Sequence, residues 1–238
     1  MRYVFASIFC ILSASALADI TYDSFNAYYS QLKGGIFSNA LEEPADKYAI
    51  EGEHGMCGED DACQDRFGKL GSKNVKLTFS STKGVFEFNG RHFRFGDARQ
   101  LGAENNSSSE IPLYGVSAYL AKKEKKHPDM ACIEGYYMGS GRFKVSEIFL
   151  ILNPLGPEKQ TEFYRLPGLH SSCLAIRENS EHSIIYPSNS YFPQGDENKS
   201  TELIMSWQFI ENGATHSLGR ETKLRFIEPG NPFKFSAP

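Results

Sequence analysis

Val85-Phe86-Glu87-Phe88-Asn89-Gly90-Arg91-His92-Phe93-Arg94-Phe95 is the stretch whose reading decides the fold class. Asn-Gly is the dipeptide preferred in a two-residue type I′ turn, because both central residues need positive φ. With Asn89-Gly90 as that turn, Phe88 falls opposite Arg91, Glu87 opposite His92 and Phe86 opposite Phe93. Phe86, Phe88, Phe93 and Phe95 then share one face, while Glu87, His92 and Arg94 share the other. Register and burial agree, so the stretch reads as a β-hairpin with one apolar face. His92 reads most simply as the cross-strand partner of Glu87.

The same period of two recurs on either side. Val75, Leu77 and Phe79 alternate with Lys76 and Thr78, a half-buried strand that meets the hairpin through Ser80 to Gly84. Phe143 to Leu152 ends in Ile148-Phe149-Leu150-Ile151-Leu152, a continuous apolar run suited to a central strand covered on both faces, and Pro154 and Pro157 stop it. Leu203, Met205, Trp207 and Phe209 line one face of another strand, after which Asn212-Gly213 begins a loop. Leu224 and Phe226, between Lys223 and Arg225, mark a last strand, and Cys132 to Met138 and Cys173 to Arg177 read as further ones. Polar loops are expected over Asp97 to Glu110, Lys122 to Asp129, Asn153 to Glu162 and Pro187 to Thr201.

One segment has helical spacing instead. Phe25, Tyr28, Tyr29 and Leu32 recur within Asp23 to Lys33, with Thr21 or Asp23 as the expected cap and Gly34-Gly35 as the stop. The expected fold is mainly β (α+β): an antiparallel β-sandwich or strongly curved sheet with a short N-terminal helix packed on it. No internal repeat or linker composition divides it, so residues 19–238 read as a single β-rich domain.

Residues 1–18 read as a cleaved signal peptide. Arg2 precedes an apolar stretch from Tyr3 to Leu12, and small residues lead to Ala16-Leu17-Ala18. The apolar run is shorter than the ~20 residues needed to span a bilayer, and no later run reaches that length. Losing Arg2 from 25 basic residues, against 29 acidic ones, takes the net charge from −4 to about −5. That balance argues against a general nucleic-acid binder, which needs a basic face. The expected location is periplasmic or secreted.

Four cysteines follow the leader: Cys57, Cys63, Cys132 and Cys173. An even number in an exported chain implies two disulfides, and sequence allows three pairings. Cys57–Cys63 and Cys132–Cys173 are favoured, the first closing a small loop and the second joining two expected β segments. They would contribute roughly 2 and 4 kcal/mol by restricting the unfolded chain. A zinc site is disfavoured, because no C-x-x-C pair or matching histidine interval is present.

Several short motifs carry chemistry elsewhere, and each has a plainer reading. Ser80-Ser81-Thr82-Lys83 matches S-x-x-K, but that motif needs a helix to bring Lys to Ser, and here it joins two strands. His170-Ser171-Ser172-Cys173 sets a base beside nucleophiles, yet catalytic partners are adjacent in space and seldom in sequence. His54 lies among flexible acidic residues. No G-x-S-x-G, no H-E-x-x-H and no phosphate-cradling glycine loop is present. No catalytic residue, resident metal or cofactor is therefore expected.

The most individual stretch is Cys57-Gly58-Glu59-Asp60-Asp61-Ala62-Cys63-Gln64-Asp65. A disulfide would hold Glu59, Asp60 and Asp61, with Asp65 beside them, on a small rigid protruding loop. Calcium is conceivable there, although the alternation of an EF-hand loop is absent. A contact surface for a basic partner fits better, since a rigid loop loses little entropy on binding. Lys122-Lys123-Glu124-Lys125-Lys126-His127 is the one basic run, suited to anionic lipid or polysaccharide or simply to solvent.

The function expected from these features is an exported, non-catalytic protein-binding module of the periplasm, such as an inhibitor or immunity protein. Its partner would be a toxin or cell-wall hydrolase with a basic cleft. Two alternatives differ in class: a secreted hydrolase acting on polysaccharide or peptide through His54, His170 and acids gathered by folding, and a structural component of an envelope assembly with exposed edge strands.

Overall fold

The computed structural model describes residues 20–41, 63–80, 83–102, 114–122, 127–136, 146–181, 183–193 and 199–238. The expected signal peptide, Cys57, His54, the acids Glu59 to Asp61 and the basic residues Lys123 to Lys126 lie outside them.

The described chain is mainly β, in three sheets that stack as layers. The outer four-stranded sheet runs β2 (Cys63–Leu70), β3 (Lys73–Ser80), β4 (Val85–Phe88) and β5 (Arg91–Arg94), each antiparallel to the next. The hairpin has the expected register, with Phe86 opposite Phe93, Glu87 opposite His92 and Phe88 opposite Arg91. Asn89 and Gly90 take φ of 48° and 82°, as a type I′ turn demands. Phe86 stacks on Phe93 with centroids 5.0 Å apart, and Phe95 packs 5.1 Å from Phe86 although it belongs to a 3-10 turn that follows the hairpin.

The middle sheet has the order β6 (Arg99–Gln100), β10 (Glu162–Leu166), β9 (Ser146–Leu152), β8 (Met130–Tyr136) and β7 (Tyr114–Ala121). β9 is its central strand and is covered on both faces, as its unbroken apolar run implies. Phe149 and Ile151 join Leu77, Phe79, Phe86 and Phe95 in the core shared with the outer sheet. Ile148, Leu150 and Leu152 face the other way, into a core with Cys132, Tyr164, Ile176 and Tyr186. Truncating a side chain such as Leu150 at this position costs about 2–5 kcal/mol.

The third sheet runs β1 (Ile20–Tyr22), β15 (Asn231–Ala237), β14 (Ala214–Glu228), β13 (Glu202–Glu211), β12 (Ile184–Phe192) and β11 (Arg177–Glu178). It curls so that it serves two cores on opposite faces. At one end Ile184 and Tyr186 turn to the middle sheet. At the other, Leu203, Met205, Leu224, Phe226 and Phe235 pack against helix α1 (Phe25–Gln31), which supplies Phe25, Tyr28 and Tyr29 from one face. Leu203, Met205 and Trp207 line one face as expected, and Phe209 beyond them stacks on His216 at 5.1 Å.

Several expectations need correction. The helix is shorter than Asp23 to Lys33, and its cap is Ser24, whose Oγ accepts from the Ala27 N–H at 3.2 Å. Cys173–Ala175 is a 3-10 turn and not a strand, because Ser172 Oγ caps the Leu174 N–H. Asn212-Gly213 is no loop. It is a two-residue turn with φ of 50° and 71° that joins β13 directly to β14. Its tip packs onto the middle sheet, where a Cβ at Gly213 would meet Arg99 Nη1 at 2.4 Å. Residues 187–192 of the expected loop over Pro187 to Thr201 continue β12 as strand. β11 pairs β12 only at residues 184 and 185, so Pro187 sits beyond it, where a missing N–H costs no ladder bond. Within the expected Asp97 to Glu110 loop, Arg99 and Gln100 pair in parallel with β10.

The long β13–β14 pair carries an irregularity. Ser206 opposes Glu221 but Gln208 opposes Ser217, so β14 holds extra residues there. Gly219 among them has φ of 64°, and its N–H donates to Ser217 Oγ at 3.1 Å. β15 pairs with β14 only from Arg225 to Glu228.

Candidate functional site

The end of the third sheet where α1 packs holds the most unusual side-chain arrangement among the described residues. Spacing at i, i+3 and i+4 puts Phe25, Tyr28 and Tyr29 on the sheet-facing side of α1. His170 enters beneath them from a chain segment with φ of 46°. Its ring stacks on Phe25 at 4.6 Å, and its Nε2 shares a 2.5 Å hydrogen bond with Tyr191 Oη. Burial holds its pKa down at about 4, so it is neutral at physiological pH. Tyr29 Oη donates to the His170 carbonyl at 2.8 Å, and Asn189 Nδ2 donates to the Leu169 carbonyl at 2.7 Å. Burial raises the Tyr29 hydroxyl well above its ordinary range.

Arg177 closes the far end of α1. Its guanidinium donates to the carbonyl of Tyr29 in the last turn of the helix, which also accepts the Leu32 N–H, and to that of Lys33 just beyond it. Burial lowers its pKa to about 10, still far above neutrality.

Over this floor lies one exposed aromatic ring, and two more large apolar side chains are exposed at the same sheet end. Phe233 packs edge-on to His170 with centroids 6.2 Å apart while remaining 47% exposed. Phe192, which closes β12, and Ile227, one residue from the end of β14, are each 50% exposed. All three lie at the same end of the sheet, Phe233 on the face of His170 and α1, and Phe192 and Ile227, each next to an inward aromatic (Tyr191 and Phe226), on the opposite face. Phe233 also lines a cleft with Glu228, Pro229, Gly230, Asn231 and Pro232. Charges of both signs rim the apolar residues, including the Arg225–Glu202 ion pair at 3.5 Å.

A second polar assembly surrounds the disulfide between Cys132 and Cys173. Glu134 Oε2 accepts from Ser172 Oγ at 2.8 Å and from the Cys173 N–H at 2.6 Å, and its Oε1 accepts from Tyr119 Oη at 2.9 Å. Burial first, and then the Glu134 carboxylate, push the Tyr119 hydroxyl upward. Ser172 donates to a carboxylate and caps a 3-10 turn, so this group braces the chain and does not present a nucleophile.

The sequence-derived candidates are dispersed. Asp65 is not on a protruding loop: it sits in β2, 6% exposed, accepting from Thr78 Oγ1 at 2.7 Å and pairing with Lys76 Nζ at 3.0 Å. Its carboxylate is consumed within the sheet, which removes it from an exposed acidic surface. Glu59, Asp60 and Asp61, on which the calcium expectation also rests, lie outside the described residues. Cys63 is disulfide-bonded, while the favoured partner Cys57 lies outside them. His92 sits 3.7 Å from Glu87, the cross-strand neighbour expected. Ser80 Oγ accepts from the Lys83 N–H at 2.7 Å, the geometry of a turn. His127 is buried, with Nδ1 2.9 Å from the Pro128 carbonyl.

Sequence reasoning missed the apolar end altogether. Phe233 and Phe235 flank Lys234 in a period-two pattern, a signal hidden behind Pro229-Gly230-Asn231-Pro232. Among the described residues, no three His, Cys, Asp or Glu side chains gather as a metal-binding group, and no helix is long and apolar enough to cross a membrane. No family model, curated protein or solved structure matches the chain.

Proposed function

We propose that the protein is an exported, non-catalytic binding module whose partner is another protein, in the manner of an inhibitor or immunity protein that neutralises a toxin or cell-wall hydrolase. The observation that carries this reading is the half-exposed Phe233 at one end of the third sheet, lining a cleft, with Phe192 and Ile227 half-exposed on the opposite face of the same end. Large apolar side chains left exposed at one sheet end and rimmed by charge are a feature of protein contacts. The ring of Phe233 packs on the buried His170, itself stacked on Phe25 and hydrogen-bonded to Tyr191, which limits the ordering entropy lost on binding. Export is supported by the N-terminal sequence pattern and by a buried disulfide, which persists in an oxidising compartment. The acids Glu59, Asp60 and Asp61 would add attraction toward a basic cleft.

The test is site-specific photocrosslinking in the producing cell. A photoreactive residue at position 192, 227 or 233 should yield a discrete protein adduct, and one at His92 on the outer hairpin should not. The triple substitution F192S/I227S/F233S should abolish the adduct while the thermal transition stays cooperative. Adducts no stronger at the three positions than at His92 would remove the proposal. Export is checked separately by the N-terminal residue of the mature chain, expected to be Asp19.

A further inference from the structure

Four lysines lie near the turn between β2 and β3, at a corner of the outer and middle sheets: one on β2, two on β3 and one just past the end of β7. Lys69 and Lys73 flank the turn between β2 and β3, and both are exposed. Lys122, the first residue of the basic run and exposed at the end of β7, lies against that turn: a Cβ added at Gly71 would be 3.8 Å from its Cε. Lys76 stands opposite Phe67, with Nζ 5.9 Å from the ring centroid. Phe67 itself is 42% exposed, on the outward face of β2 with Lys69 two residues along.

The charge here is positive and largely uncompensated. Asp65 neutralises Lys76 and is too buried to turn charge outward. Lys69, Lys73 and Lys122 make no ion pair among the described residues. The whole chain carries a net charge of −4, so this corner stands against the overall balance.

We infer that this corner docks on the surface of a bilayer containing anionic phospholipid, with Lys69, Lys73 and Lys122 over the headgroup phosphates and the Phe67 ring entering the interface. Lysines reach phosphates while their stems lie along apolar surface. An aromatic ring among them gains free energy only where an apolar phase is within reach. That ring distinguishes a lipid surface from a soluble polyanion, to which charge alone would respond. The proposal stands apart from the apolar end of the third sheet, and either can fail without the other.

Cosedimentation with vesicles tests it, using the mature chain at low salt. Vesicles of equal parts phosphatidylglycerol and phosphatidylcholine should carry the protein down, and phosphatidylcholine alone should not. At roughly fivefold per lysine, K69S/K73S/K122S should weaken binding about 100-fold. F67S should weaken it several-fold at unchanged charge, with both variants keeping the wild-type circular dichroism. Failure of the folded wild type to sediment with the mixed vesicles would overturn the inference. So would equal binding by the triple-lysine variant. Binding that F67S leaves unchanged and that dextran sulfate fully reproduces would reduce it to nonspecific charge adsorption, and overturn it too.

Discussion

Glu134 Oε2 accepts from the backbone N–H of Cys173 at 2.6 Å, so the carboxylate two residues along β8 from Cys132 fixes the chain segment that brings Cys173 to its disulfide partner. The same oxygen takes Ser172 Oγ, and Oε1 takes Tyr119 Oη. One side chain therefore ties the middle sheet to the segment that covers it.

Replacing this group leaves three donors without their acceptor. E134A should cost about 2–4 kcal/mol, since hydrogen bonds to a charged acceptor exceed neutral ones and the stranded groups are partly desolvated. The thermal midpoint under oxidising conditions should fall by roughly 5–15 °C for a chain of this size. A shift under a degree would show that the donors find water instead.

The Cys132–Cys173 bridge spans a sequence separation of 41 residues. C132A/C173A should lose about 4 kcal/mol, most of it through a less restricted unfolded chain. Both cysteines have no exposure, so a reductant should act on the wild type only after unfolding. Urea midpoints with and without reductant report both effects.

His170 makes stability depend on pH in a defined window. Its folded pKa of about 4 lies below its ordinary 6.5, so the unfolded chain binds a proton that the native chain refuses between those values. Stability should be full above pH 6.5 and fall by about 3 kcal/mol as pH drops to 4, then level off in this contribution. H170N tolerates the positive φ and does not titrate, so its stability at neutral pH should be lower but its slope over this window shallower. Chemical denaturation at pH 7, 5.5 and 4 distinguishes the two slopes.

Gly168 is held by space and not by dihedral angle. A Cβ there would stand 1.6 Å from the Ser146 carbonyl oxygen. G168A should be among the most damaging single methyl additions, costing over about 3 kcal/mol or preventing folding. G90A, in open space with φ of 82°, should cost nearer 1 kcal/mol. Comparing soluble yield and thermal midpoints of the pair separates clash from backbone strain.

The hairpin was legible because Asn89-Gly90 states its own dihedral angles and four phenylalanines state the face. β9 was legible because a strand buried on both faces writes an uninterrupted apolar run. β2 was not, because Asp65 and Arg66 are both buried and erase the alternation: Arg66 spends its guanidinium on the carbonyls of Asp65 and Val116. β12 was hidden by Pro187, whose tolerance depends on β11 ending before it. The apolar end shared by Phe192, Ile227 and Phe233 could not be read at all. Its members come from three strands, and only the order of the third sheet puts those strand ends together.

The register break at Gly219 has a bearing on how these molecules treat one another. From Ala214 to Thr222, β14 has a strand on one side only among the described residues. A straight run of that length would be a template on which further chains could add, copy after copy. The extra residues bend the strand mid-way, and Arg220 and Glu221 place charges beside the bend. Two residues of surplus chain thus make this bare edge a poorer template for a second copy than a straight strand would be.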